Sequence, residues 1–430
     1  MADLKIGNKK INGKVKIPPS KSMAHRAIIC ASLSKGISKI ENIDFSDDII
    51  ATMKAMEALG AKIYKGNDSL EIHGINEEEI NSEFKIIDCN ESGSTLRFLV
   101  PISLLIPGKK KFIGRGNLGK RPLNTFYEIF KQDNIDYSFE EGVLNLEVEG
   151  TLRGGNYYLE GNISSQFITG LLFTLPLIEK DSKIIITTEM ESKGYIDLTL
   201  SALKDFGIKI INNDYREFII KGNQKYKARN YRVDGDYSQA AFFLTANAIG
   251  NNIIIDDVVE ISAQGDKEAI EILERMGMNI TWNGNSIKPI YCNELKATII
   301  DGSQCPDIIP VLSVAAALAK GTTKIVKAGR LRIKECDRLK AVATELAKLG
   351  AKIEETEDGL IIEGVNDLQG GVEVWSWKDH RIAMTLAIAA TRCKEPIILK
   401  DYECISKSYP KFFNDYRSLG GVADEWNVGK

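Results

Sequence analysis

The chain has little of what metal and redox sites are built from. Only three histidines occur among 430 residues. The seven cysteines (Cys30, Cys89, Cys292, Cys305, Cys336, Cys393 and Cys404) form no Cys-x-x-Cys pair. This spacing excludes the common zinc clusters and suits a reducing, cytoplasmic compartment. No apolar run reaches bilayer length, the longest lying around 308–319 and 382–390, so no membrane span is expected. The opening Met1-Ala2-Asp3-Leu4-Lys5 is polar and reads as mature protein, without a signal or transit peptide. An excess of one charge is also missing: 56 Lys and Arg face 59 Asp and Glu, for a net charge of −3. That balance excludes a global attraction to nucleic acid or an anionic membrane, so any anion site must be a local gathering of Lys and Arg. What is present is a soluble globular composition, 43% hydrophobic and 27% charged, at a length that implies two or three domains.

One pattern recurs along the whole chain. A helical stretch ends near Gly, and two short strands follow. It is clearest at Met56-Glu57-Ala58-Leu59-Gly60-Ala61-Lys62-Ile63 and at Leu346-Ala347-Lys348-Leu349-Gly350-Ala351-Lys352-Ile353. Weaker copies centre on Asn134, Gly207, Gly277 and Gly420, at spacings of about 70 to 74 residues. The Gly is a natural residue just past a helix end, where left-handed backbone costs it nothing. Six α/β units therefore fill the chain. Three per domain give two domains, with a boundary at Val233-Asp234-Gly235-Asp236-Tyr237-Ser238.

Cationic helix starts recur in most units. After the first strand come Pro18-Pro19-Ser20-Lys21-Ser22 and then Arg26. The prolines end the strand, and Ser20 is a plausible cap for the apolar run behind it. Helix N-termini favour anions, and Lys21 and Arg26 add mobile charge. Asn90-Glu91-Ser92-Gly93-Ser94-Thr95-Leu96-Arg97 opens another apolar helix, with Gly93 allowing close approach to the backbone. Asn162-Ile163-Ser164-Ser165-Gln166, Arg332-Ile333-Lys334-Glu335-Cys336-Asp337-Arg338, Asp379-His380-Arg381 and Ser406-Lys407-Ser408 have the same character. Each alone reads more simply as a capped, solvated helix start. If they converge, they form a cationic cleft for a multiply charged anion. Gly114-Arg115-Gly116-Asn117-Leu118-Gly119-Lys120 resembles nucleotide loops, but Arg121 stands where a P-loop needs Ser or Thr. It reads as a Gly-rich loop leading to a helix that starts at Arg121-Pro122.

Pro19-Ser20-Lys21-Ser22, Ser164-Ser165-Gln166, Lys334-Glu335 with Asp337-Arg338-Leu339, and Asp379-His380-Arg381 together resemble the 3-phosphoshikimate 1-carboxyvinyltransferase (5-enolpyruvylshikimate-3-phosphate synthase) family over essentially the whole chain. The resemblance implies an α/β, two-domain enolpyruvyl transferase fold, an inverse α/β barrel. Each domain would hold three βαβαββ units about a pseudo-threefold axis. One domain would be 19–236, mainly the shikimate 3-phosphate side. The other would be 1–18 with 237–430, mainly the phosphoenolpyruvate and acid–base side. The active site would lie in the cleft between them.

The resemblance also implies a reaction. The enolpyruvyl group of phosphoenolpyruvate passes to the 5-hydroxyl of shikimate 3-phosphate by addition and elimination, releasing phosphate. This belongs to the shikimate pathway, which leads to chorismate and the aromatic amino acids. Phosphoenolpyruvate would meet Lys21, Gly93, Arg97, Arg121, Gln166, Arg338, Arg381 and Lys407. Shikimate 3-phosphate would meet Lys21, Ser22, Arg26, Ser164, Ser165, Gln166, Ser192, Asp307 and Lys334, with Tyr195 nearby. Arg forks and Lys point charges suit the carboxylate and phosphate of both substrates. Asp307 would take the hydroxyl proton, and Glu335 or Lys21 would serve C3. No metal or cofactor is implied, and the enzyme would be a cytoplasmic monomer.

Two places depart from the family pattern. Arg330 stands where some members carry a ligand-contacting Asn, and Glu91-Ser92 where many carry Asn-Ala. Gly93 implies sensitivity to glyphosate, which occupies the phosphoenolpyruvate site in this family, whereas Glu91 puts inhibitor response in question. Two alternatives share the scaffold: a UDP-N-acetylglucosamine enolpyruvyl transferase, and a non-catalytic anion-binding protein. The first typically has Asn after its N-terminal Lys and a reactive Cys or Asp in a mobile loop. Here Ser22 follows Lys21, and no Cys lies in 115–120. Against the second, all three proton-handling candidates are present.

Overall fold

The computed structural model describes residues 3–290 and 294–426; Cys292 and the first two residues lie outside them. The chain divides into two compact units. One runs from Lys21 to Val233; the other joins the residues up to Ser20 with those from Asp234 onward. Each has its own hydrophobic core. The first unit holds helices α1 (Lys21–Ser32), α2 (Asp47–Ala58), α3 (Gly93–Ser103), α4 (Asn124–Asp133), α5 (Ser165–Thr174) and α6 (Lys193–Asp205). The second holds α7 (Tyr237–Ala248), α8 (Glu268–Arg275), α9 (Ile309–Ala317), α10 (Arg338–Lys348), α11 (His380–Ala390) and α12 (Phe412–Ser418). No helix among the described residues is long and apolar enough to cross a membrane.

Among the described residues, six four-stranded sheets, three per unit, share one plan. In one, Lys85–Asp88 runs parallel to Lys110–Ile113, which pairs antiparallel with Asn145–Glu149, and that with Asp136–Ser138. A parallel pair needs a crossover connection, and α3 supplies it. Register sets Ile87, Phe112 and Leu146 in one row. Tyr157–Ile184–Phe218, Ile300–Ile325–Leu360 and Val374–Leu399–Leu4 are the matching rows elsewhere. All twelve side chains are buried, because alternate strand residues share a face.

The strands at the N-terminus complete sheets of the second unit. Leu4–Ile6 pairs with both Ile397–Lys400 and Ala423–Glu425, and Asn12–Lys16 runs parallel to Asn252–Asp256. Helices α7, α9 and α11 are buried on every face and pack on one another, as helices without a polar side must. Their N-termini carry several of the polar residues considered below.

The six repeat junctions behave alike. Gly60, Asn134, Gly207, Gly277, Gly350 and Gly420 all have positive φ, from 55° to 112°. At Gly420 an added Cβ would meet nothing within 4 Å. Gly420→Ala should therefore incur backbone strain alone, a loss of about 1–2 kcal/mol by denaturant unfolding. An unchanged midpoint would mean that the junction relaxes.

Candidate active site

In the Lys21–Val233 unit, α1 begins at Lys21, directly after Ser20. Lys21 Nζ lies 2.8 Å from Asp48 Oδ2 at the start of α2, and both side chains are largely buried. Arg26 sits one turn on and is itself buried. Its Nε donates to Thr199 Oγ1 (2.9 Å), Nη1 to the Ser22 carbonyl (2.7 Å) and Nη2 to the Tyr195 carbonyl (2.8 Å). Burial lowers its pKa to about 10. Arg26 thus ties α1 to the first turn of α6. Ser192, buried and left-handed at φ 55°, precedes that turn.

Gly93, Arg97, Arg121 and Gln166 come together. A Cβ on Gly93 would lie 2.6 Å from Arg121 Nη1 and 3.2 Å from Arg97 Nη1. Two guanidinium groups therefore crowd one small space, and their repulsion is relieved by an anion placed between them. Arg97 Nη1 donates to Gln166 Oε1 (2.9 Å), and Gln166 Nε2 donates to Ser94 Oγ (3.0 Å). Ser164 caps α5, accepting from the Gln166 amide, and Ser165 is buried behind it. Helices α3 and α5 approach closely here because Gly170 lies against the Arg97 carbonyl. Pro101, four residues after Arg97 and inside α3, cannot donate to that carbonyl.

The Gly-rich loop is no phosphate cradle. The Arg115 amide donates to the Asn90 carbonyl, and the amides of Leu118, Lys120 and Arg121 donate within the loop. Arg115 Nη2 pairs with Asp88 at 2.9 Å. Glu91 turns its carboxylate onto Gly116, where a Cβ would come within 2.7 Å of it. The helix start expected at Arg121-Pro122 is corrected: α4 begins at Asn124, with Leu123 as its cap residue. Arg121 is extended (φ −79°, ψ 136°), the conformation imposed on a residue before proline.

In the second unit, Arg338 is the hub. It heads α10 and is 1% exposed. Nη1 lies 2.8 Å from Asp307 Oδ1, Nη2 2.8 Å from Glu335 Oε2, and Nε 2.8 Å from Asp379 Oδ2. Lys334 Nζ adds a second cation 3.2 Å from Asp307 Oδ1, and Arg381 Nη2 a third, 3.9 Å from Oδ2. Lys407 Nζ stands 3.9 Å from Glu335 Oε1. Burial alone would raise the Asp307 pKa, but Lys334, Arg338 and Arg381 hold it well below the ordinary carboxylate range. Its three carboxylates raise Arg338 despite burial. The cluster joins an ionised acceptor to cations that can bind a carboxylate or phosphate. Arg330 lies just before it, in the turn Gly329–Ile333.

Three positioning groups were absent from the sequence-based set. Asp379 caps α11 through the Arg381 amide and also anchors Arg338. Its capping position was readable, but not its second role. Asp48 was one acid among many on a helix. Ser238 holds Arg381 through its carbonyl (2.9 Å) and its Oγ (2.8 Å), across 143 residues of sequence.

The fold is shared with solved enolpyruvyl transferase structures. The enolpyruvyl transferase NikO from Streptomyces tendae superposes with TM-score 0.80 at 14% identity, covering 100% of this chain and 99% of its own. EPSP synthase from Acinetobacter baumannii superposes at 0.81 with 26% identity, covering 99% and 100%. Residues 6–416 match the family described as EPSP synthase (3-phosphoshikimate 1-carboxyvinyltransferase). Proteins named 3-phosphoshikimate 1-carboxyvinyltransferase from Clostridium beijerinckii and Clostridioides difficile are each 66% identical over the full length of both chains. The chain belongs to the EPSP synthase family.

Proposed function

We propose that this protein transfers the enolpyruvyl group of phosphoenolpyruvate to the 5-hydroxyl of shikimate 3-phosphate. The observation that carries the reading is Asp307, an ionised carboxylate set among Lys334, Arg338 and Arg381 in a chain of this family. In the addition step the hydroxyl oxygen bonds to C2 of phosphoenolpyruvate while Asp307 takes its proton. C3 gains a proton from Glu335 or Lys21, giving a tetrahedral intermediate. In the elimination step C3 loses a proton, the C2–O bond to phosphate breaks, and inorganic phosphate leaves. Atoms balance without a cofactor.

Arg97, Arg121, Arg338, Arg381, Lys407 and Lys21 bind the anionic groups of phosphoenolpyruvate, with Gly93 leaving room and Gln166 reaching both substrates. Ser22, Arg26, Ser164, Ser165, Ser192 and Lys334 hold shikimate 3-phosphate. As substrate anions draw the cations away from Asp307, its basicity rises toward that of a useful general base. We take the enzyme to act as a cytoplasmic monomer.

Phosphate release from phosphoenolpyruvate is the direct test. Release is expected with shikimate 3-phosphate as acceptor and not with UDP-N-acetylglucosamine. Release only with the second acceptor would assign the sister activity, and none with either would leave a binding protein.

Glyphosate is taken to compete at the phosphoenolpyruvate site. Gly93→Ala would push the Arg121 guanidinium aside, since its Nη1 lies 2.6 Å from the new Cβ. The KM for phosphoenolpyruvate should rise about tenfold, and the glyphosate Ki by more, with little change in the KM for shikimate 3-phosphate. Equal effects on both substrates would remove Gly93 from this half of the site.

A further inference from the structure

Trp377 and Lys378 both lie in left-handed backbone, each at φ 55°. Consecutive bulky residues in this region are strained, and such strain persists only where the surroundings impose it. They directly precede Asp379, the cap of α11 and anchor of Arg338. The surroundings centre on Glu345, seven residues beyond Arg338 on the same helix and 1% exposed. Its Oε1 accepts from Trp377 Nε1 at 2.9 Å, and Oε2 from the Trp375 amide at 3.0 Å. The two indole rings stack 5.1 Å apart. Ser376 Oγ accepts from the Lys378 amide (3.1 Å) and donates to the Asp401 carbonyl (2.9 Å). On its outer side the Glu345 carboxylate meets Lys348 Nζ at 2.8 Å, a side chain 41% exposed.

We propose that Glu345 is a positioning residue for the phosphoenolpyruvate half of the site. It holds the Trp375–Lys378 loop in its strained path, and so sets Asp379, the Arg338 fork and the first turn of α11 with Arg381. Helix α10 carries both Arg338 and Glu345, so the loop is gripped from the helix whose arginine it orients. The inference rests on the enolpyruvyl-transfer reading.

The test compares Glu345→Ala, Glu345→Gln and Lys348→Ala with the unmodified protein. Glutamine keeps the size but offers a single oxygen to two donors, and Lys348→Ala removes only the outer charge. With Glu345→Ala, the KM for phosphoenolpyruvate should rise at least ~tenfold, kcat should fall, and the KM for shikimate 3-phosphate should move less than ~threefold. Glu345→Gln should fall between, Lys348→Ala should match the unmodified protein, and tryptophan fluorescence should shift in both Glu345 variants. A folded Glu345→Ala with lower thermal stability but unchanged KM and kcat would overturn the proposal. If the alanine variant does not fold, unchanged kinetics in Glu345→Gln with shifted fluorescence would overturn it equally. No turnover by the unmodified protein would instead sink the enolpyruvyl-transfer reading.

Discussion

Asp307→Ala is expected to lower kcat by about 10²–10⁴, the usual worth of a positioned general base, while shikimate 3-phosphate still binds. The carboxylate touches Lys334 and Arg338 and faces Arg381. Its removal leaves those cations in place and less neutralised, so anionic substrates keep their partners. The loss should therefore appear in kcat far more than in either KM, the mark of an interaction made in the transition state. A second consequence is thermodynamic. Because the folded-state pKa of Asp307 is depressed, its contribution to stability is present above the unfolded value of about 3.9 and is lost as pH falls toward the folded one. The unmodified protein should lose stability in that window more steeply than Asp307→Ala does. Near-normal turnover in Asp307→Ala would remove it from the base role.

Arg338→Met is expected to be the most damaging single change to stability. Methionine roughly fills the space, but three carboxylates lose their shared cation, and Asp379 is fully buried. Removing one partner from a buried charge cluster costs about 3–5 kcal/mol. The penalty has a direction in pH. Without Arg338 the Asp307 carboxyl loses one of the three cations that hold its pKa down, so acidification that protonates it relieves part of the variant's defect. The stability gap between variant and parent should narrow from pH 7 to about pH 3 in denaturant titrations. A constant gap would indicate lost packing rather than unpaired charge. Activity should be lost at pH 7, because the phosphoenolpyruvate fork is gone.

The repeat was legible because a helix end followed by left-handed backbone demands Gly or Asn, and six such residues recur at even spacing. The N-terminal strand Leu4–Ile6 pairs with segments about 390 to 420 residues away, and no local pattern names them. The charged motifs were legible as residue types. Their wiring was not, because it depends on which helix N-termini meet. Arg338 reads as a helix-start cation, yet it is the buried hub of three carboxylates. Arg26 reads as a mobile cation, yet its guanidinium is engaged with two backbone carbonyls and Thr199. The strained pair Trp377-Lys378 gave no signal, since neither residue type favours that backbone. The Pro122 expectation failed for a local reason: proline constrained the residue before it, and the helix began two residues later.

The central claim is that enolpyruvyl transfer proceeds by addition and elimination at this site. Both substrates incubated with the protein in heavy water, and followed by phosphorus and proton NMR, test it most directly. The addition step would deliver a solvent deuteron to C3, and elimination from the resulting methyl group would leave part of it in the product. Phosphate release accompanied by deuterium in the product's vinyl group is the predicted result. Phosphate release with a wholly protiated vinyl group, or no transfer at all, would contradict the account.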